Sequence, residues 1–200
     1  ALRAKGEEPM QITFPDYESD SSALVKMYLS GQFGQKPDDV NAYASSTFYA
    51  VDRFASYKTR WGDFYRRGGL VVSDRYTTSN AVHQCSKLPP MHWDGFLEWL
   101  FDFEYKKMGI PAPDAVVYLS VEVEVSQRLI AERYHGDTNK MDIQEKDIEY
   151  LARSRAAAEY CARKLGWERI VCTKEENGQR VMRSADEIHA EVMDRLAGLV

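Results

Sequence analysis

The sequence predicts an α/β domain in which a doubly wound parallel sheet is covered by helices on both faces. Short, uniformly apolar runs alternate with longer stretches in which apolar residues recur every three or four positions, and the runs lie at residues 10–14, 70–72, 115–119 and 170–172. Uniformly apolar strands that alternate with helices are typical of a parallel sheet buried on both faces. A length of 200 residues fits a single domain over residues 1–200.

The stretches between these runs predict the helices. A short helix begins at Ser21 or Ser22 and ends before Gly31. A long helix begins at residues 37–39, bends near Gly62 and continues to the two arginines before the second strand. The remaining helices are predicted at residues 91–107, 125–133, 144–164 and 185–199, with a turn at Gly178 before the last of them.

Composition narrows the class of protein before any motif is considered. Hydrophobic residues make up 44% of the chain and charged residues 28%, which are ordinary values for a globular domain. A net charge of −5 argues against a general nucleic-acid binder. No apolar run approaches the roughly 18 residues of a membrane helix. The three cysteines form no CxxC pair, which favours a reducing compartment, so we expect a cytoplasmic protein without a membrane or nucleic-acid partner.

Candidate functional residues follow the second predicted strand directly. In open α/β sheets ligands bind at the carboxyl ends of the strands, and Asp74 and Arg75 lie at such an end. A carboxylate can hold hydrated Mg²⁺, and the guanidinium fork matches the oxygens of a phosphate. The pair can equally be a structural salt bridge at the end of a strand.

A second candidate pair lies on the long predicted helix. Tyr49 and Arg53 are four residues apart, so their side chains share one face of that helix. An aromatic ring with a cation one turn away can stack on a nucleobase and bind its edge or its phosphate. Surface packing explains the same spacing. The four histidines show no zinc-ligand spacing, and no motif for a catalytic nucleophile occurs.

Taken in order, these motifs resemble the thymidylate kinase family, a branch of the P-loop nucleoside monophosphate kinases. The matching stretches are FPDY at 14–17, YAVDR at 49–53, DRYTTSN at 74–80 and PAPD at 111–114, followed by an arginine-bearing segment. The resemblance extends over nearly the whole chain. It implies a P-loop NTPase fold and phosphoryl transfer from ATP to dTMP with Mg²⁺, in dTTP synthesis, by a homodimer.

The resemblance also assigns roles to residues of the base and phosphate site. Tyr49 would stack on the thymine, Arg53 would contact the base or the phosphate, and Asn80 would reach the base. Arg75 would hold the acceptor phosphate, and Asp74 would act around Mg²⁺ through a water molecule.

The sugar side and the lid receive roles in the same way. Phe14 and Tyr17 would line the deoxyribose, with Tyr17 placed to disfavour a 2′-hydroxyl. His83 falls where relatives have a sugar contact, although a lone histidine can simply be packed. Gln144 falls where relatives have a tyrosine over the nucleotide. A lid over about residues 128–142 would clamp the donor phosphates, and its candidate cations are Arg128 and Arg133, with Lys140 as an alternative.

One element of that family has no counterpart in residues 1–200. These kinases bind the ATP phosphates with GxxxxGK[ST] between the first strand and the first helix. The nearest stretch, residues 31–36, has the wrong glycine spacing and follows a helix. We therefore expect the functional protein to have an upstream strand and P-loop, and we expect activity to require them.

Two other functions stay open from the sequence. A kinase for another deoxynucleoside or its monophosphate would share the fold and an arginine at the end of a strand. A non-catalytic nucleotide-binding relative would have no P-loop.

Overall fold

The computed structural model of the chain describes residues 1–198. The backbone divides into two compact units, Ala1–Ala112 and Pro113–Val200, and each is described by itself. The single domain predicted over residues 1–200 stays a prediction. No helix within the described residues has the length and apolarity needed to cross a membrane.

The first unit contains a pair of parallel strands, β1 (Met10–Thr13) and β2 (Val71–Asp74). Thr13 lies opposite Asp74, and the N–H of Phe14 donates to the carbonyl oxygen of Asp74 at 3.0 Å. The peptide bond from Phe14 to Pro15 is cis. The FPDY and DRY segments therefore leave the sheet at the same edge.

An aromatic core packs under this strand pair. Its buried members are Ile12, Phe14, Trp61, Tyr76 and Ile110. The rings of Phe14 and Tyr76 have centroids 6.1 Å apart, and Trp61 meets Tyr76 at 6.2 Å. The hydroxyl of Tyr76 donates to the carbonyl oxygen of Pro111 at 2.8 Å, and burial raises the pKa of Tyr76 above its ordinary value. The ends of β1 and β2 are thus supported by tightly packed aromatic side chains.

Five α-helices surround the strand pair in this unit. They are α1 (Ala23–Leu29), α2 (Ala42–Ser56), α3 (Gly62–Arg66), α4 (Thr77–Cys85) and α5 (Trp93–Phe101). The long predicted helix starts later than expected, because residues 37–39 form a separate 3-10 turn and the side chain of Asn41 caps α2. The sequence did not predict α4.

Two π-helical segments interrupt the helical regions. The first, Tyr57–Trp61, joins α2 to α3, and the second, Asp102–Lys107, continues α5. The first ends at Gly62, where the sequence predicted a bend. A Cβ atom on Gly62 would lie 2.3 Å from the carbonyl oxygen of Tyr57, so the widened turn requires glycine at this position.

The second unit contains a parallel pair and a hairpin. Strands β3 (Val117–Ser120) and β4 (Glu168–Val171) are parallel, with Leu119 opposite Ile170. Strands β5 (Thr173–Glu176) and β6 (Gln179–Met182) form an antiparallel hairpin around the turn predicted at Gly178. The helices are α6 (Val123–Arg133), α7 (Ile148–Leu165) and α8 (Ala185–Arg195). The last helix was predicted to reach residue 199, which lies outside the described residues.

The observed elements confirm a mixed α/β class with parallel strand pairing. Each predicted strand is present within two residues of its expected position. The strands of the described residues occur as three two-stranded sheets, of which two are parallel.

Candidate functional site

Arg75 occupies the edge of the first unit where β2 ends. Its backbone has a φ of 63°, in the left-handed region that non-glycine residues seldom adopt. Its guanidinium is exposed, with Nη1 at 3.2 Å from Nε2 of His83 on α4. Burial, together with the charges of Arg75 and Lys87, lowers the pKa of His83 to about 3. A neutral His83 can accept a hydrogen bond from Arg75 and orient it toward an anion.

The neighbouring predicted residues differ in accessibility. Asp74 is exposed, Phe14 is buried in the aromatic core, and the side chain of Tyr17 is 52% exposed. The carbonyl oxygen of Tyr17 accepts from Nζ of Lys26 at 3.2 Å. The strand edge therefore presents a carboxylate, a guanidinium and a phenol ring to solvent.

Arg53 lies beneath this edge in a buried ion pair. Its side chain is 1% exposed, and its partner Glu104 is completely buried in the second π-helical segment. Nε donates to Oε2 of Glu104 at 2.7 Å, and Nη2 donates to Oε1 at 2.6 Å. This two-bond geometry is the strongest that a guanidinium and a carboxylate form. The charge of Arg53 is thus balanced within the protein, whereas Arg75 is exposed.

Two residues of α4 bind the same carboxylate. The hydroxyl of Thr77 donates to Oε2 of Glu104 at 2.8 Å, and Nδ2 of Asn80 lies 3.4 Å from Oε1. Asn80 also donates from Nδ2 to the carbonyl oxygen of Ser46 on α2 at 3.1 Å. Glu104 therefore brings together Asn80, for which the resemblance implied a base contact, and Arg53, for which it implied a contact with the base or the phosphate.

A second buried carboxylate, Asp52, holds the turn after β1. Its Oδ2 accepts from the backbone N–H of Asp16 at 2.8 Å, and its Oδ1 accepts from the hydroxyl of Ser21 at 2.6 Å. Asp16 is itself buried and forms an ion pair with the more exposed Arg60 of the first π-helical segment. Tyr49 is half-buried on α2, one turn before these contacts.

The predicted Mg²⁺ ligand fits the donor set that this ion prefers. Within residues 1–198, no group of three or more His, Cys, Asp or Glu side chains could hold a metal ion. Mg²⁺ in kinases is bound by one or two carboxylates together with water and substrate phosphates, and it needs no complete protein cage. The exposed carboxylate of Asp74 satisfies that requirement.

The predicted lid residues belong to the second unit. Arg128 lies on α6 and donates from Nη2 to the carbonyl oxygen of Arg180 at 3.0 Å. Arg133, at the end of α6, pairs with Glu145 at 3.4 Å and is 65% exposed. Gln144 lies beyond α6, and its Nε2 is buried with no hydrogen-bond partner among the described residues. Lys140 lies in a 3-10 turn, with Nζ 3.9 Å from Asp137.

Sequence reasoning missed Glu104 although a signal for it exists. Trp93, Phe96 and Leu100 recur at the 3–4 spacing of a buried helix face, and the next position in that series is residue 104. A glutamate at a position predicted to be buried requires a partner. That partner is the arginine of the YAVDR motif.

Parallel strands that end in an arginine, a carboxylate and aromatic rings are typical of α/β proteins, whose ligands bind at the carboxyl ends of the strands. The family model for thymidylate kinase matches residues 1–189. The chain belongs to the thymidylate kinase family.

Relatives from three organisms agree with this assignment. The thymidylate kinase of Mycobacterium tuberculosis (strain ATCC 25618 / H37Rv) is 31% identical over 170 residues, which are 84% of this chain and 77% of that protein. The thymidylate kinase of Caenorhabditis elegans is 29% identical over 113 residues, 56% of this chain and 45% of that protein. The probable thymidylate kinase of Staphylothermus marinus is 29% identical over 115 residues, 58% of this chain and 51% of that protein.

Proposed function

We propose that this protein transfers the γ-phosphoryl group of ATP to dTMP, which gives dTDP and ADP. The observation that supports this most directly is the family match over residues 1–189. In the reaction a phosphate oxygen of dTMP bonds to the γ-phosphorus, and the bond from that phosphorus to the β–γ bridging oxygen breaks. Catalysis of this kind rests on alignment and on neutralisation of charge.

The acceptor phosphate is assigned to Arg75. Its exposed guanidinium, oriented by the neutral His83, can donate two parallel hydrogen bonds to phosphate oxygens. Asp74 is assigned to Mg²⁺ through a water molecule, and the ion when bound supplies positive charge beside the reacting phosphates. His83 is close enough to Arg75 to position it and to border the sugar.

The nucleoside is assigned to the residues around the two strand ends. Tyr49 stacks on the thymine, while Phe14 and Tyr17 line the deoxyribose, with Tyr17 against the 2′ position. Arg53 and Asn80 bind the edge of the base. The shared carboxylate of Glu104 supports a common role for these last two residues.

The donor phosphates are assigned to the lid of the second unit, at about residues 128–142. Arg128 and Arg133 are the cations that we assign to the donor phosphates, with Lys140 as an alternative, and Gln144 is assigned a nucleotide contact. The exposure of Arg133 and the buried, unpartnered amide of Gln144 support these assignments. Family membership further supports a doubly wound sheet of the P-loop NTPase type.

A homodimer is part of the proposal. Tyr43 on α2 is 44% exposed and meets Trp99 of α5 at a centroid distance of 4.7 Å, and Trp99 stacks on Phe103 at 5.3 Å. This half-exposed aromatic face supports contact with a second copy. The acidic composition and the lack of a CxxC pair support a cytoplasmic location.

Calorimetry with dTMP, AMP and GMP tests the substrate assignment, because a site shaped for a pyrimidine excludes the larger bases. We expect dTMP to bind at least about tenfold more tightly than either purine nucleotide. An assay of ADP release by the protein with ATP and dTMP then tests transfer. Equal affinity for AMP, GMP and dTMP would overturn the substrate, and tight dTMP binding without ADP release would favour a non-catalytic relative.

A further inference from the structure

We propose that Glu104 is a positioning residue that sets the base specificity of the acceptor site. It does so by fixing which hydrogen-bonding groups Arg53 and Asn80 present to the base. This inference rests on the proposed function and adds to it a residue that does not itself touch the substrate.

Both carboxylate oxygens of Glu104 accept hydrogen bonds from side chains on two other helices. It accepts two hydrogen bonds from Arg53 on α2 and further hydrogen bonds from Thr77 and Asn80 on α4. Because its side chain is completely buried, each of these donors is held without competition from water. The carboxylate therefore determines the orientation of all three side chains.

The ion pair with Glu104 occupies one edge of the Arg53 guanidinium and leaves the other N–H groups outside the pair. A guanidinium has five N–H groups in a rigid fork, and Glu104 takes one from Nε and one from Nη2. Three N–H groups remain outside the pair, two of them on Nη1. Arg53 can therefore offer a base only hydrogen-bond donors, and their direction is set by Glu104.

The same carboxylate fixes the side-chain amide of Asn80. An amide nitrogen has two N–H groups, and here they are directed at the carbonyl oxygen of Ser46 and at Oε1 of Glu104. A flipped amide would direct its oxygen at two acceptors, one of them charged. The remaining group of Asn80 is its Oδ1, which is an acceptor.

A donor from Arg53 beside an acceptor from Asn80 complements thymine. The thymine ring presents the O4 acceptor next to the N3–H donor. Cytosine presents an amino donor next to the bare N3 acceptor, so both contacts would be mismatched. Uracil has the same edge as thymine, and this pair of residues does not distinguish the two.

The burial of this network makes a mismatch costly. Arg53 is 1% exposed and Asn80 is 2% exposed, so their polar groups have almost no contact with water. A buried polar group that loses its partner costs more than the hydrogen bond itself contributes. Specificity from such a site exceeds what shape alone supplies.

The experiment measures two affinity ratios by calorimetry in the wild-type protein and in Glu104→Gln. The first ratio, Kd for dCMP over Kd for dTMP, reports the base edge. The second, Kd for thymidine over Kd for dTMP, reports the phosphate site at Arg75.

We expect Glu104→Gln to lower the first ratio by at least about tenfold, because the neutral amide lets Asn80 flip. The second ratio stays within about twofold, since a change confined to Glu104 leaves the phosphate contacts intact. The matched control is Glu98→Gln, an exposed glutamate on α5, which changes neither ratio.

The outcomes separate the two proposals. A wild-type protein that binds dCMP as tightly as dTMP contradicts the proposed substrate. A selective wild type together with an equally selective Glu104→Gln overturns the role of Glu104 and leaves the function intact. If both ratios of the variant fall together, Glu104 has a structural role only.

Thr77→Val provides the test if Glu104→Gln does not unfold cooperatively on heating. It removes one neutral hydroxyl donor to Glu104 and keeps the shape and charge of the site. We expect the base ratio to fall by about fivefold, since one uncharged hydrogen bond contributes roughly 1 kcal/mol. An unchanged base ratio in this variant would overturn the positioning role.

Discussion

Asp52 and Arg53 are neighbours in sequence, yet they stabilise two different regions of the first unit. Successive residues of an α-helix point about 100° apart. Asp52 accepts hydrogen bonds from the turn after β1, whereas Arg53 pairs with Glu104 and so reaches the helix that follows β2. A single dipeptide thereby attaches α2 to both strand ends, through a negative charge on one side and a positive charge on the other.

The first cluster, Arg53 with Glu104, and the second cluster, Asp52 with Asp16 and Arg60, differ in how they balance their charge. Arg53 and Glu104 neutralise each other in complete burial. Asp52 has only neutral donors, and the nearest ion pair, between Asp16 and Arg60, has an arginine side chain that is 56% exposed. Salt therefore screens the second cluster and leaves the first nearly unaffected. The proposed base site is therefore built around the ion pair that solvent screens least.

The largest expected effect comes from breaking the buried pair. Arg53→Met leaves Glu104 charged, buried and without its main partner, so the free energy of unfolding should fall by about 3–5 kcal/mol. Urea unfolding measures the loss. The double variant Arg53→Met/Glu104→Met removes both charges and should recover most of it. A single variant within about 1 kcal/mol of the wild type would contradict the importance of the pair.

Asp52→Ala should cost less, because the donors left behind are neutral. The N–H of Asp16 and the hydroxyl of Ser21 lose their acceptor, and we expect a loss of about 2–3 kcal/mol in the free energy of unfolding. The control is Arg66→Ala, which removes an exposed ion pair with Asp63 and should cost less than about 1 kcal/mol. A larger loss in the control than in Asp52→Ala would contradict the importance of Asp52 for the turn after β1.

Arg75 is the exposed counterpart of Arg53, and its removal should reduce binding while leaving stability intact. Arg75→Gly deletes the guanidinium and suits the positive φ of this position. The affinity for dTMP should fall by roughly 10- to 150-fold, as expected for a charge-assisted contact, with thymidine unchanged. Relief of strain offsets the added freedom of the unfolded chain, so the free energy of unfolding should change by at most about 1 kcal/mol. Equal losses for thymidine and dTMP would assign Arg75 a structural role.

The smallest effect concerns the pH dependence that His83 contributes. The unfolded chain protonates this histidine below its ordinary pKa of 6.5, whereas the folded protein protonates it only near a pKa of about 3. Between these values the unfolded state binds more protons, so stability falls as the pH is lowered through this window. His83 is only partly buried, so the slope should stay well below the roughly 1.4 kcal/mol per pH unit of one fully shifted group. Urea unfolding at pH 7.5 and 5.0 should show a larger loss for the wild type than for His83→Asn, and equal losses would exclude the effect.

Most of the fold could be predicted from periodicity, and the exceptions have physical reasons. Helix α4 begins Thr-Thr-Ser-Asn, which are weak helix formers, and it depends on tertiary packing of Thr77, Asn80 and Gln84. The hairpin strands β5 and β6 are mostly charged and polar, so they lack the apolar pattern of a buried strand.

The candidate site also combines residues that sequence motifs identified with a buried ion pair that they could not. Motifs identified Asp74, Arg75 and Phe14, and these residues do lie at the ends of the two strands. The burial of Arg53 could not be predicted, because its partner lies 51 residues away in sequence and no local pattern connects the two. Periodicity identifies which positions are buried, whereas the pairing of buried charges is a property of the tertiary fold.

The widened helical turns have a consequence for the comparison of relatives. Each π-helical segment contributes one member of an ion pair with a residue distant in sequence, Arg60 in the first and Glu104 in the second. A π turn holds one residue more than the same turn with α spacing. Deletion of one residue from the second segment would rotate Glu104 by about 100° away from Arg53. A one-residue alignment gap within residues 102–107 of a relative would therefore mark a protein that orients its arginine by other means.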